Sequence, residues 1–223
     1  MEDSKDSKYW HYMEREYVSP LELDLLLADG WRHFGTFFFR DRMSWNERKL
    51  CQIIPLRIDL RRFNFTKSQR KVLRRNQDVR VIFRKAFIDY EKEDLFYKHC
   101  VRFTHNVPNS VYDFLSPQPD CIPCQTWECC LFDESGKLYA VSFFDVGLNA
   151  TSSVYAMFDP AYAQRSPGLH TLLAEIIYAI ERRKAYLYTG YAFREPSHYD
   201  YKKKFRATQF YDWQGNWANF ENE

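Results

Sequence analysis

The order of apolar segments in the second half of the chain limits its fold more than any other feature. TWECCLFD, LYAVSFFDVG and SSVYAMFD are short and rich in β-formers, and the turn DESGK joins the first two. They read as three antiparallel strands in meander order. LHTLLAEIIYAIERRK then sets Leu169, Leu172, Leu173, Ile176, Ile177 and Ile180 three and four residues apart, one face of a long helix. AYLYTGY follows as a buried strand. The succession strand, strand, strand, helix, strand calls for an α+β layer, a mixed and mainly antiparallel sheet flanked by helices.

The first half carries its own signals. In SPLELDLLLADG, Ser19 caps a helix, Pro20 suits its first turn, Glu22 completes a capping box, and Gly30 supplies a left-handed stop. WRHFGTFFFR reads as one strand bent at Gly35, DRMSWNERKL as a polar loop and CQIIPLRIDL as a further strand. Thr66 or Ser68 caps a helix from about Lys67 to Asn76, in which Val72 and Leu73 are the apolar residues. VRVIF resumes as a strand. Short helices are expected over 95–103 and 110–115. SPQPDCIPC and DPAYAQRSPG are expected as loops, and the tail as a short helix with a last strand.

No apolar run reaches 18 residues, so no membrane span is expected. The charged MEDSKDSKYWHYMEREY lacks an apolar signal core, which points to a cytoplasmic chain. Six cysteines in such a chain read as reduced thiols or metal ligands. Cys121 and Cys124 have the spacing of half a zinc site. Cys129 and Cys130 are neighbours on a strand and point to opposite faces, so no metal is expected from the four.

Charge is unevenly spread. The net formal charge is +2, yet Phe65 to Lys85 holds eight Lys or Arg and a single acid, Asp78. The plain account of such a run is a solvated helix face. The other is a surface for nucleic acid, which clustered cations bind by releasing its counterions. On that account Arg70, Lys71, Arg74, Arg75, Arg80 and Arg84 meet phosphates, while Gln69 and Asn76 reach sugar or base. A second anion site is suggested at QRSPGLH, where a helix N-terminus offers free amides after Arg165 and Gly168. There Pro167 removes one amide and His170 fills a position that close approach needs small. An ordinary helix start is the alternative.

Taken in order, LADGWRHFGTFFFR, PLRIDLRRFNFTKSQRKVLRRNQDVRV, KLYAVSFFD, SSVYAMFDP, QRSPGLHTLLAEI and YLYTGY…YKKKFR resemble arginyl-tRNA–protein transferases and the bacterial aspartate/glutamate leucyltransferases. The resemblance runs from about Leu21 to Arg206. Its most specific pieces are S-Q-R-x-x-L-x-x-N at Ser68–Asn76 and S-x-V-Y-x-x-F-D-P at Ser152–Pro160. It implies a GNAT-like (acyl-CoA N-acyltransferase-like) fold with an N-terminal α/β portion, residues 1–85 carrying the basic tRNA-contacting segment and 86–223 the transferase domain.

The implied activity is aminoacyl transfer, of Arg or Leu, from charged tRNA to the N-terminal Asp or Glu of a protein or peptide. Charged tRNA is then a co-substrate and no further cofactor is expected. The resemblance assigns Ser68, Gln69, Arg70, Arg74, Arg75 and Asn76 to tRNA contact. It places Asp145, Ser152, Tyr155, Arg165, Gly168, Tyr191, Tyr201, Lys202, Phe205 and Arg206 on motif positions of the GNAT-like half. Asp145 is the candidate base or amine anchor, expected at the rim of the sheet. Arg165, Lys202 and Arg206 are candidate clamps for carboxylate or phosphate, and Tyr155 and Tyr191 candidate pocket walls.

The chain departs from the family in places. Only Cys51 stands where members carry a C-x-x-C-x-x-C run before P-L-R. Pro196, His198 and Tyr199 occupy tail positions usually filled by Cys and Lys-Met, and Pro167 replaces a usual Leu. Two other functions fit the same residues: a GNAT acyltransferase using acyl-coenzyme A, and a tRNA-binding adaptor without transfer chemistry.

Overall fold

The computed structural model describes residues 9–46 and 49–220. The polar lead of residues 1–8 and the 47–48 part of the loop expected over 41–50 lie outside them.

One large mixed sheet organises the chain. It contains β5 (Lys49–Asp59), β6 (Arg80–Lys85), β7 (Thr126–Phe132), β8 (Leu138–Val146), β9 (Ala150–Phe158), β10 (Tyr186–Phe193), β11 (Thr208–Tyr211) and β12 (Trp217–Asn219). Their spatial order is β12-β11-β5-β10-β9-β8-β7-β6. β9 and β10 run parallel, while the other neighbours are antiparallel. The expected meander is β7-β8-β9. Because β5 and β6 join this sheet, it draws strands from both sides of residue 85.

Helix α1 (Pro20–Ala28) opens on the expected capping box between Ser19 and Glu22, and Gly30 follows at φ +84. The expected single strand over 31–40 is instead a hairpin of β2 (Arg32–Phe34) and β3 (Phe37–Asp41). Gly35 does more than bend it: at φ +51 it reverses the chain, and its amide donates to the Phe114 carbonyl at 3.0 Å. β1 (Trp10–Glu14) completes a three-stranded sheet. The polar segment expected as a loop contains β4 (Met43–Asn46), which pairs with the start of β5. Cross-strand hydrogen bonding to an apolar neighbour overrides its polar composition.

α3 (Tyr90–Cys100) begins earlier than expected because Asp89 caps it through the Lys92 amide at 3.0 Å. A short 3-10 turn at Val111–Asp113 meets the expected second helix, and another forms at Pro160–Arg165 within the expected loop. The long helix is α4 (Pro167–Glu181). Its expected stripe is only partly right. Leu173 and Ile176 are buried, but Ile180 is exposed and Thr171, Glu175 and Tyr178 face inward. The helix is flanked by α2 (Lys67–Arg75) as well as by the sheet, which widens and rotates its covered face.

The sheet has apolar layers on both faces. α4 packs on Cys129, Leu131, Tyr139 and Phe144, while α3 covers Cys130, Val141, Phe143 and Met157. Cys129 and Cys130 thus point to opposite faces, as the strand period requires. Glu128 is one of several charged residues within this interior. It is fully buried beside the equally buried Lys92, 3.2 Å away, and Arg84, 2.6 Å away. Removing Lys92 leaves Arg84 as the one cation on Glu128 and the other carboxylate oxygen without its cation in a dry core. Lys92→Met is expected to destabilise the protein by about 1–3 kcal/mol in chemical denaturation.

Candidate functional site

β9 and β10 pair only over Ala150–Ser152 and Tyr186–Tyr188. Beyond that point β10 bulges between Tyr188 and Gly190 and continues with β5 as its partner. Gly190 takes φ +95, a conformation that a side chain disfavours. The space above it is also filled, since an added Cβ would stand 3.1 Å from Lys202 Nζ and 3.3 Å from an Arg32 nitrogen.

Arg32 reaches this place from β2. One guanidinium nitrogen donates to the Ser152 hydroxyl at 3.1 Å and another to the Ser153 carbonyl at 3.4 Å. Lys202 arrives from the 3-10 segment His198–Lys204. Among the described residues neither cation has a carboxylate within ion-pair distance. Burial, together with Arg32's charge, brings Lys202 down to about 8. Burial holds Arg32 at about 10, against the opposing pull of Asp145. Two cations without a carboxylate at ion-pair distance, beside a glycine backbone, are chemically able to hold an anion.

Asp145 lies behind them and does not emerge at the sheet rim. It is fully buried, and register sets it opposite Ser152 and Thr126. The Thr126 hydroxyl donates to one carboxylate oxygen at 2.7 Å, and the other lies 3.0 Å from His33 Nε2. Burial disfavours the imidazolium, but Asp145's charge and hydrogen bond outweigh this and raise His33 above its ordinary value. Cys124 Sγ approaches the same nitrogen at 3.7 Å, while Cys121 is exposed. Below the cleft, Glu175 of α4 accepts hydrogen bonds from Ser142 and Ser153. Burial lifts its carboxyl to about 7, although both hydroxyls work in the other direction.

The remaining expected residues separate into distinct places. Tyr191 is half-buried, close enough to Arg32 to feel its charge, and packs beside Tyr199. Tyr155 is elsewhere: it stacks on Phe114 at 3.9 Å in the core under α3, so the two tyrosines do not line one pocket. Arg165 forms an ion pair with Asp78 at 2.8 Å. Gly168 opens α4 against Phe158, and the buried His170 stands two residues further on. Tyr201 and Arg206 are exposed on either side of buried Phe205.

Helix α2 forms as expected, with Thr66 as its cap. Gln69 and Asn76, expected to touch nucleic acid, are buried. Gln69 accepts from the Thr66 amide at 2.8 Å, and Asn76 donates to the Val72 and Arg165 carbonyls. Their motif positions hold the helix rather than face a ligand. Arg70 and Arg75 bond to the Phe65 and Gln164 carbonyls. Lys67, Ser68, Lys71 and Arg74 line an open depression of about 500 Å³ with Thr66. Val72 shares a core cluster with Phe205, three residues beyond Lys202, so the cationic helix adjoins the segment that carries the clamp.

Comparison with known sequences decides the family. The description "Arginine-tRNA-protein transferase, C terminus" matches residues 79–212, and its N-terminal counterpart matches residues 1–71. The chain belongs to the arginine-tRNA-protein transferase family. It is an aminoacyltransferase. It is 27% identical over 234 aligned positions to an aspartate/glutamate leucyltransferase of Campylobacter jejuni, covering 100% of this chain and 92% of the relative. A protein of the same name from Hahella chejuensis is 30% identical over 202 positions, covering 86% and 84%.

Among solved structures, FemX superposes with a TM-score of 0.53 at 11% identity, over 91% of this chain and 69% of that one. L-PGS from Bacillus licheniformis gives 0.51 at 11% identity, over 83% of this chain and 61% of that one. At such identities the likeness concerns the fold, which is GNAT-like as expected.

Sequence reasoning missed Arg32, His33 and Glu175. A signal was present: adjacent basic residues inside the apolar strand WRHF, and a lone acid within LLAEIIY. Glu175 also carries a pH dependence. Its folded-state value lies above an unfolded value of about 4.3, so its stabilising contribution is complete below that pH. The contribution is lost as pH rises through about 7. Wild-type stability should therefore fall by about 3–4 kcal/mol over this range, by denaturant titration, and Glu175→Gln should flatten the profile.

Proposed function

We propose that this transferase takes an aminoacyl group, leucine or arginine, from charged tRNA and delivers it to the α-amine of a protein or peptide that begins with Asp or Glu. The observation that carries this reading is the uncompensated pair Arg32 and Lys202 at Gly190. A short acidic side chain fits a receptor made of buried Arg32 and half-buried Lys202, because each charge supplies what the other lacks. The names of the relatives agree with such an acceptor.

The chemistry needs little more than placement. The donor is an ester, so no covalent enzyme intermediate is required and no cofactor beyond the charged tRNA. The neutral amine attacks the ester carbonyl, the C–N bond forms, the C–O bond breaks, and the ribose hydroxyl leaves with a proton. A free α-amine titrates near about 8, so a site that accepts its neutral form suffices. The Ser152 hydroxyl accepts from Arg32 and keeps its own hydrogen for an oxyanion. Asp145, held by Thr126 and His33, lies behind the clamp and offsets part of the charge of Arg32. Lys67, Lys71 and Arg74 of α2, with Ser68, offer the phosphate contacts for tRNA, and the exposed Tyr201 and Arg206 extend that surface. At the start of α4, Arg165 is already paired with Asp78 and His170 fills the first turn, which favours tRNA over coenzyme A as the donor.

The deciding experiment presents the protein with a pool of charged tRNAs and peptides that differ only at the first residue. Mass shifts should appear on peptides beginning with Asp or Glu and not on those beginning with Asn or Ala. Equal transfer to Asn, or saturable coenzyme A binding with no response to tRNA, would overturn the reading. Arg32→Gln should lower kcat/KM for the Asp peptide by about 10- to 100-fold, the loss of one buried charge-assisted contact, and erase the preference over Asn.

A separate prediction concerns the helix. Lys71→Glu with Arg74→Glu should raise KM for tRNA and reduce the slope of log affinity against log salt by about two, with the Asp preference unchanged. Both are read in the same steady-state assay.

A further inference from the structure

His33, Cys124 and Asp145 come from β2, from the loop before β7 and from the end of β8, and meet behind the clamp. His33 Nε2, Cys124 Sγ and an Asp145 carboxylate oxygen lie within 4.8 Å of one another. The residues are 7%, 3% and 0% exposed. The thiol stands 3.7 Å from Nε2, and the carboxylate oxygen 3.0 Å from it. Ligands spread tetrahedrally around zinc at about 2.0–2.3 Å stand about 3.3–3.6 Å apart, so the two separations from Nε2 are within a few tenths of an ångström of what the ion needs.

The hydrogen bonds beyond the cluster point the same way. His33 Nδ1 lies 2.9 Å from the Gly35 carbonyl, which can only accept, so Nδ1 carries a proton. In the neutral ring the Nε2 lone pair then faces the carboxylate and the sulfur. That arrangement is stable only if a cation, a proton or a metal, sits between them. Asp145's other oxygen is already held by Thr126. A ring oriented by a backbone carbonyl and a carboxylate oriented by a hydroxyl are the outer contacts that metal ligands use.

We propose that His33 Nε2, Cys124 Sγ and Asp145 bind one zinc-class divalent cation that ties the three-stranded sheet to the large sheet. Binding displaces two protons, one from the imidazolium and one from the thiol. The thiolate and the carboxylate then neutralise the ion, so no net charge enters the interior. The thiolate excludes magnesium and calcium, and a fourth position is left for water. Sequence spacing hid the site, because its ligands are 91 and 21 residues apart. The site shares Asp145 with the reading above, but its test reads ion uptake and not aminoacyl transfer, so each can fail alone.

The test uses the full chain, stripped with a chelator and titrated with cobalt(II), with zinc counted by native mass spectrometry. One ion per chain is expected, with thiolate-to-cobalt absorption in the near ultraviolet. Cys124→Ala should abolish that absorption and Cys121→Ala should preserve it. Thr126→Val keeps every ligand and should weaken affinity by about 10- to 100-fold, which decides the matter even if Cys124→Ala fails to fold. A chain that takes up no stoichiometric ion, or a band that survives in Cys124→Ala, overturns the proposal. The cluster is then a His33 imidazolium paired with Asp145 beside an inert thiol.

Discussion

The parting of β9 from β10 is the constraint on which the rest of the molecule turns. Parallel strands held over three residue pairs and then released leave unpaired backbone in the middle of a sheet. Such polar groups must find partners. Arg32 meets part of that demand by donating to the Ser153 carbonyl, while β10 keeps β5 on its other edge throughout and bulges against it before Gly190. An opening that would weaken an ordinary sheet thus becomes a cationic recess at its centre. Glycine at 190 is required twice, by its backbone angle and by the two side chains that fill the space a Cβ would take.

Around this recess the protein keeps several charges away from water, each answered differently. Glu128 is neutralised by two cations, and Asp145 is met by a hydroxyl and an imidazole. Glu175 has hydroxyls alone for partners, and its raised value reflects that poorer solvation. Arg32 and Lys202 lack an anion of their own. That lack of a carboxylate at ion-pair distance is what suits the pair to hold an anion.

Much of the fold was legible in the chain. The meander and α4 announced themselves by period, and α1 and α2 by their caps. Legibility failed where tertiary pairing overrode local composition. Polar β4 became a strand because β5 offered it hydrogen bonds, and the aromatic run after Trp31 folded back at Gly35. Motif positions located the right neighbourhood but not the roles. Gln69 and Asn76 belong to the most specific motif and serve the helix from within, while Arg165 spends its charge on Asp78.

What the sequence determined alone was the meander, the capped helices, the family to which they belong and the cationic character of α2, because these depend on residues close together in the chain. Tertiary structure decided which side chains share a site. Arg32 and Lys202 are 170 positions apart, and His33 and Asp145 are 112. No local period relates them. They meet because burying apolar faces brings β2 and the tail segment to the point where the central strands separate.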